Sequence, residues 1–226
     1  MIGILQFGGS NCDRDVAKAF DCLGVENQLI WYKDEERVDD CDGIVIPGGF
    51  SYGDYLRAGS IAARSPVMER VRSLADDGAP VLGICNGAQI LCESRVVPGA
   101  YARNLSAKFQ CEWTNLRVET TDSPFTRNFA EGEVVEIPIA HAEGRYVAED
   151  PDALDSDDRV LFRYVDSDGE PTDGANPNGS DRNIAGVLGD RNVGVMMPHP
   201  ERASSDLLGS DDGLRVLEGM AEVAQT

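Results

Sequence analysis

The chain has 226 residues, 40 Asp plus Glu against 20 Lys plus Arg, and a formal net charge of −20. That length fits one sizeable domain able to bury a real core, and the charge excludes a nucleic-acid-binding or anionic-membrane surface. An apolar share of 42% excludes a disordered or collagen-like polymer, and no apolar run approaches the roughly 20 residues of a membrane helix.

Residues 2–7 predict a first strand ending in Gly8-Gly9-Ser10-Asn11, where Ser10 or Asn11 can cap a helix to about Leu23. The start lacks a basic leader, so a cytoplasmic protein is expected. Residues 26–32 and 43–46 predict the second and third strands, Ile61 to Asp77 a helix closed by Gly78, and 80–84 a short buried strand running directly into a helix over 86–94. Apolar runs with helices between them are the pattern of a mostly parallel sheet covered on both faces, an α/β fold. From Tyr101 to about Phe162 the runs alternate, which predicts antiparallel strands in the middle of the chain. A turn-rich connection follows at 166–183, then strands at 184–188 and 193–197 and a closing helix from Asp211 to Val223. No repeat or linker divides the chain, so one domain over 1–226 is expected.

The acidic excess is spread along the chain, with only three lysines (Lys18, Lys33, Lys108) beside 17 arginines. A distributed excess points to a surface adapted to concentrated salt, where the Debye length falls to about 3 Å at 1 M. The six cysteines include no C-x-x-C pair, and two histidines are too few to suggest a structural zinc site, so no metal is expected.

Gly83-Ile84-Cys85-Asn86-Gly87 places G-x-C-x-G where a buried strand turns into a helix, the thiol counterpart of a serine nucleophile elbow. Glycines on either side permit the sharp turn, and the helix N-terminus beneath Cys85 favours the thiolate. A nucleophilic thiol needs a base. His199 follows an apolar strand between two prolines, with Glu201 placed to orient the imidazole, so Cys85, His199 and Glu201 can form a triad. His141 has Glu143 at the same offset, so local spacing does not separate the two bases. His141, Glu143 and Arg145 read instead as residues behind the site or at a partner interface. After the third strand, Pro47-Gly48-Gly49 offers backbone N–H groups close to a ligand oxygen. With the N–H of Asn86 these make an oxyanion hole. There is no Walker A sequence and hence no ATP site of the chain's own.

Together, Pro47-Gly48-Gly49, Gly83-x-Cys85-x-Gly87-x-Gln89 and His199-Pro200-Glu201 resemble, in this order, the class I (triad) glutamine amidotransferases. Asn86 and the runs 47–59, 141–146 and 176–180 are similar to one branch of them, the glutaminase subunits of phosphoribosylformylglycinamidine (FGAM) synthases of purine synthesis. Ala88 and the segment 99–104 depart from that pattern without touching the triad. The resemblance implies a three-layer, flavodoxin-like fold and hydrolysis of glutamine through a glutamyl thioester on Cys85. It also implies that Phe50 and Gln89 help position the substrate. No cofactor is implied in this chain. ATP and Mg²⁺ are expected on a large synthetase subunit, which receives the ammonia and converts formylglycinamide ribonucleotide to formylglycinamidine ribonucleotide, and a small third subunit is expected in the complex. The alternatives are an amidotransferase subunit serving another synthetase, or a cysteine hydrolase on the same scaffold.

Overall fold

The computed structural model describes residues 1–190 and 192–225. In chain order these form β1 (Ile2–Gln6), α1 (Asp13–Cys22), β2 (Asn27–Trp31), β3 (Gly43–Ile46), α2 (Val67–Asp76), β4 (Val81–Ile84) and α3 (Asn86–Glu93). Then come β5 (Ala100–Ala102), β6 (Gln110–Val118), β7 (Val134–His141), β8 (Arg145–Val147), α4 (Pro151–Ser156), β9 (Val160–Val165), β10 (Ile184–Leu188), β11 (Val193–Met196) and α5 (Asp212–Ala224).

Nine strands make one sheet in the order β2-β1-β3-β4-β11-β10-β9-β6-β7, and β5 pairs with β8 alone. The strands from β2 to β11 run parallel, and those from β10 to β7 continue antiparallel. Every residue of β3 and β4 is buried, which requires cover on both faces. The exposed and buried residues of β7 alternate, as expected of a strand with one wet face. The expected antiparallel middle thus extends the parallel sheet rather than forming a separate unit. The sheet also curls. His199 N–H, just past β11, donates to the Pro138 carbonyl on the far edge strand β7 at 2.8 Å.

Four local expectations need correction. The helix expected from Ile61 begins at Val67: Ser65 is extended and Pro66 is the residue before the helix, because proline disfavours helical geometry in its predecessor. Neither Ser10 nor Asn11 caps α1. Cys12 occupies that position without capping the helix through its side chain, while Ser10 Oγ accepts from Phe7 N–H at 3.0 Å. The middle segment contains a helix, α4, whose Asp150 side chain caps the Asp152 and Ala153 N–H groups at 3.1 Å. The closing helix starts one residue later than expected, after Asp211.

At Gly87 an added methyl would overlap the Ile46 carbonyl oxygen of β3, whereas at Gly78, which has a positive φ (96°), it would meet nothing within 4 Å. Gly78→Ala therefore costs only the backbone strain, about 1–2 kcal/mol. Gly87→Ala must separate α3 from β3. Thermal melts in concentrated salt should show a modest loss for Gly78→Ala and loss of the cooperative transition for Gly87→Ala.

Candidate active site

Three strand ends converge. β3 ends before Gly48-Gly49, β4 before Cys85 and β11 shortly before His199. All three strands are parallel, so their C-terminal ends lie on one edge of the sheet. Cys85 stands between β4 and α3 with φ 51° and ψ −104°, a conformation that non-glycine residues rarely adopt. At Gly83 a Cβ would lie 2.7 Å from the Gly87 carbonyl oxygen. The two glycines flanking Cys85 are thus required by each other and by β3.

His199 and Glu201 are 1% and 2% exposed. His199 Nδ1–H donates to Glu201 Oε1 at 2.7 Å, since a carboxylate can only accept. The remaining imidazole nitrogen, Nε2, is buried without a hydrogen-bond partner, as is Glu201 Oε2. Burial disfavours charge on His199, but the negative charges of Glu201 and of the Cys85 thiolate outweigh it and hold the imidazole well above the ordinary histidine value. At Gly48 a Cβ would lie 2.7 Å from His199 Cε1, so this glycine makes room for the imidazole ring rather than only for a ligand. Phe50 N–H bonds to Gly9 O (3.1 Å) and Asn11 N–H to Gly48 O (3.2 Å), which leaves the Gly49 N–H outside that pairing.

A cavity of about 530 Å³ opens onto Cys85, with Gly49, Phe50, Gln89, His141 and Arg202 in its wall. Phe50 is half exposed at its mouth. The Asn86 side chain joins the elbow to the loop after β3: its Oδ1 accepts from Ser51 N–H (3.1 Å) and its Nδ2 donates to Gln89 Oε1 (2.9 Å). Gln89 Nε2 donates in turn to the Glu143 carbonyl at 2.8 Å. Its amide is committed to the pocket wall, so Gln89 shapes the cavity from behind. Asp54, also in the wall, is pushed up to about 6 by burial and by the charge of Glu143.

His141 is buried at the end of β7 with both ring nitrogens engaged, Nδ1 with Asn104 Oδ1 (3.1 Å) and Nε2 with Asn178 Nδ2 (3.5 Å). Burial, assisted by the charge of His199, lowers it to about 4. The two histidines, indistinguishable by spacing, therefore differ in state: His199 is held charged with one nitrogen unpartnered, and His141 is neutral and doubly bonded. Arg145 Nε donates to the Gly179 carbonyl (3.0 Å), and Asn178 Nδ2 to the Gly144 carbonyl (2.8 Å). The segments 141–146 and 176–180 thus form one buried network. Sequence reasoning missed Asn104, which holds His141, and two residues beside His199 and Glu201, namely Cys12 and Arg202. The Cys12 thiol lies 3.9 Å from His199 Nδ1 and accepts from Arg202 Nη2 at 3.2 Å. No local pattern marks Cys12, because its contact with His199 spans 187 positions.

A family model described as a CobB/CobQ-like glutamine amidotransferase domain matches residues 1–211. The phosphoribosylformylglycinamidine synthase subunit PurQ of Methanosarcina barkeri is 58% identical over 225 residues, covering 98% of this chain and 97% of that protein. Its Halobacterium salinarum counterpart is 56% identical over 223 residues, covering 97% and 99%. A chain of the solved Thermotoga maritima PurLQS structure is 42% identical with a TM-score of 0.87, covering 98% of this chain and 97% of that one.

With only two histidines, imidazole titration by nitrogen-detected NMR is unambiguous. One resonance should stay protonated well above the ordinary value of 6.5, and the other should titrate near 4. The linked stabilities run oppositely. The His141 contribution is present above 6.5 and lost as pH falls toward about 4, whereas that of His199 is present at low pH and lost as pH rises through its raised value.

Proposed function

The chain belongs to the CobB/CobQ-like glutamine amidotransferases, and we propose that it works as one domain over residues 1–226 with Cys85, His199 and Glu201 as its catalytic triad. It is the glutaminase subunit of a phosphoribosylformylglycinamidine synthase and acts in purine biosynthesis with synthetase and small-subunit partners corresponding to PurL and PurS. The observation that carries the residue assignment is the 2.7 Å bond from His199 Nδ1–H to Glu201, which commits one side of the ring and leaves Nε2 as the only nitrogen free to exchange protons.

The Cys85 thiolate attacks the side-chain carbonyl carbon of glutamine. The developing oxyanion is held by the N–H groups of Gly49 and Asn86, each such donor being worth about 10²–10³ in rate. Because His199 is held protonated, its Nε2–H is the acid that reaches the departing nitrogen, and ammonia leaves as the thioester forms. His199 then takes a proton from the attacking water, and the thioester collapses to glutamate and free Cys85. Gly48 admits the ring, and Phe50 and Gln89 bound the cavity that receives glutamine. ATP and Mg²⁺ belong to the synthetase subunit, where formylglycinamide ribonucleotide is activated to accept the ammonia. His141, Glu143 and Arg145 support the pocket wall facing Cys85. A cytoplasmic location accords with six unpaired cysteines. Among the described residues no helix is long and apolar enough to cross a membrane.

An electrophilic glutamine analogue should label Cys85, and excess glutamine should block the labelling; peptide mapping that finds another residue overturns the assignment. His199→Ala should lower glutamine turnover by about 10²-fold or more, and His141→Ala by less. The reverse order would exchange their roles. The charge of −20 should make cooperative melting of the chain depend on concentrated salt, and an unchanged melt in dilute buffer would refute the salt adaptation.

A further inference from the structure

Behind the triad lies a group of donors that glutamine hydrolysis does not use as a set. Cys12, His199 and Glu201 are all buried, and one ligand-type atom from each lies within 4.8 Å of the other two. The thiol is 3.9 Å from His199 Nδ1, on the ring edge turned away from the reacting nitrogen, and Glu201 Oε2 is buried there with no hydrogen-bond partner. Thiolate, imidazole and carboxylate make the mixed donor set that suits zinc-like cations in tetrahedral sites. We propose that Cys12, His199 and Glu201 form an inhibitory binding site for a thiophilic divalent cation of the Zn²⁺ class.

The route in is visible. Two neighbours screen the thiol from the cavity: Arg202 Nη2 donates to it at 3.2 Å, and it donates to Asn11 Oδ1 at 3.2 Å. Both Arg202 and Asn11 line the cavity onto which Cys85 opens. Arg202 is partly exposed, so its guanidinium can swing into the cavity and uncover the thiol. Entry of the metal displaces the Cys12 thiol proton and the Nδ1 proton of His199 to solvent. Three protein bonds form, and water fills the fourth position. Nε2 then keeps its proton on a ring whose other nitrogen is metal-bound, so it can no longer accept one, and Glu201 is withdrawn from the imidazole. The enzyme is shut from the side opposite its substrate without modification of the nucleophile.

The inhibitory effect rests on the triad assignment; the metal binding does not, and the two are tested separately. For binding, Co²⁺ is titrated into full-length Cys85→Ala protein, which lacks the nucleophile. A thiolate-to-cobalt charge-transfer band saturating at one ion per chain is expected, and it should vanish when Cys12→Ser is added. Persistence of the band in that double variant would place the metal on another thiol and overturn the proposal, as would its absence in Cys85→Ala. For inhibition, Zn²⁺ should suppress glutamine hydrolysis in the assembled complex and a chelator should restore it. Cys12→Ser should need at least about tenfold more Zn²⁺, since even a supporting group at a metal site is worth about 10–100-fold in affinity. Cys12→Ala, compared with Cys12→Ser by thermal melting, separates loss of a ligand from loss of fold. Equal Zn²⁺ sensitivity of wild type and both folded Cys12 variants would overturn the inhibitory role.

Discussion

The backbone of Cys85 is the constraint on which this molecule turns. A buried, non-glycine residue at φ 51° costs about 1–3 kcal/mol and persists only where its surroundings leave no alternative. Here β4 enters the turn buried along its whole length, and α3 leaves it pressed against β3 at Gly87. The hydrogen bond from Cys85 N–H to the Met196 carbonyl (2.9 Å) ties the turn to β11 as well. Relaxing the residue would lift a helix off three central strands. The sheet core therefore supplies the strain that keeps the thiol raised at the start of the helix.

The rest of the site follows from strand direction. Because β3, β4 and β11 are parallel neighbours, the loops that leave them must meet, and the glycine turn, Cys85 and His199 come from distant parts of the chain to one edge. The opposite wall has a different origin. The antiparallel half of the sheet curls until β7 reaches the segment after β11, and this brings the Ala140 carbonyl to 3.8 Å from the Cys85 thiol. Parallel strands supply the reacting groups, and antiparallel strands supply the enclosure.

Much of this was legible in the residues. The parallel strands announce themselves as short apolar runs, and the elbow as glycines around a cysteine, since both signals are local. The helix expected at Ile61 shows the limit of pattern: its apolar spacing continues through Ser65-Pro66, but proline geometry outweighs it. The α4 helix was hidden because six residues carry too few turns for a period to register. Local spacing could not choose between His141 and His199, and only the resemblance carried by His199-Pro200-Glu201 favoured the latter. Each has a glutamate two positions on, and they are distinguished only by distant partners, Asn104 and Asn178 in one case and the Cys85 thiolate in the other. The partner that orients the Gln89 side chain was likewise beyond local pattern, because the carbonyl that accepts from its amide lies 54 positions away.

The placement of β11 bears on how the chain reaches this structure. That strand lies between β4 and β10 and joins the parallel half of the sheet to the antiparallel half. Its pairing of Val193 with Val81 closes a loop of about half the chain, a contact that is entropically slow to form. During synthesis, strands β1 to β4 emerge early together with Cys85, while His199, its proposed base, follows much later. The thiol is thus made long before the histidine proposed as its base, and the two meet only when β11 pairs with β4, which links assembly of the site to closure of the sheet.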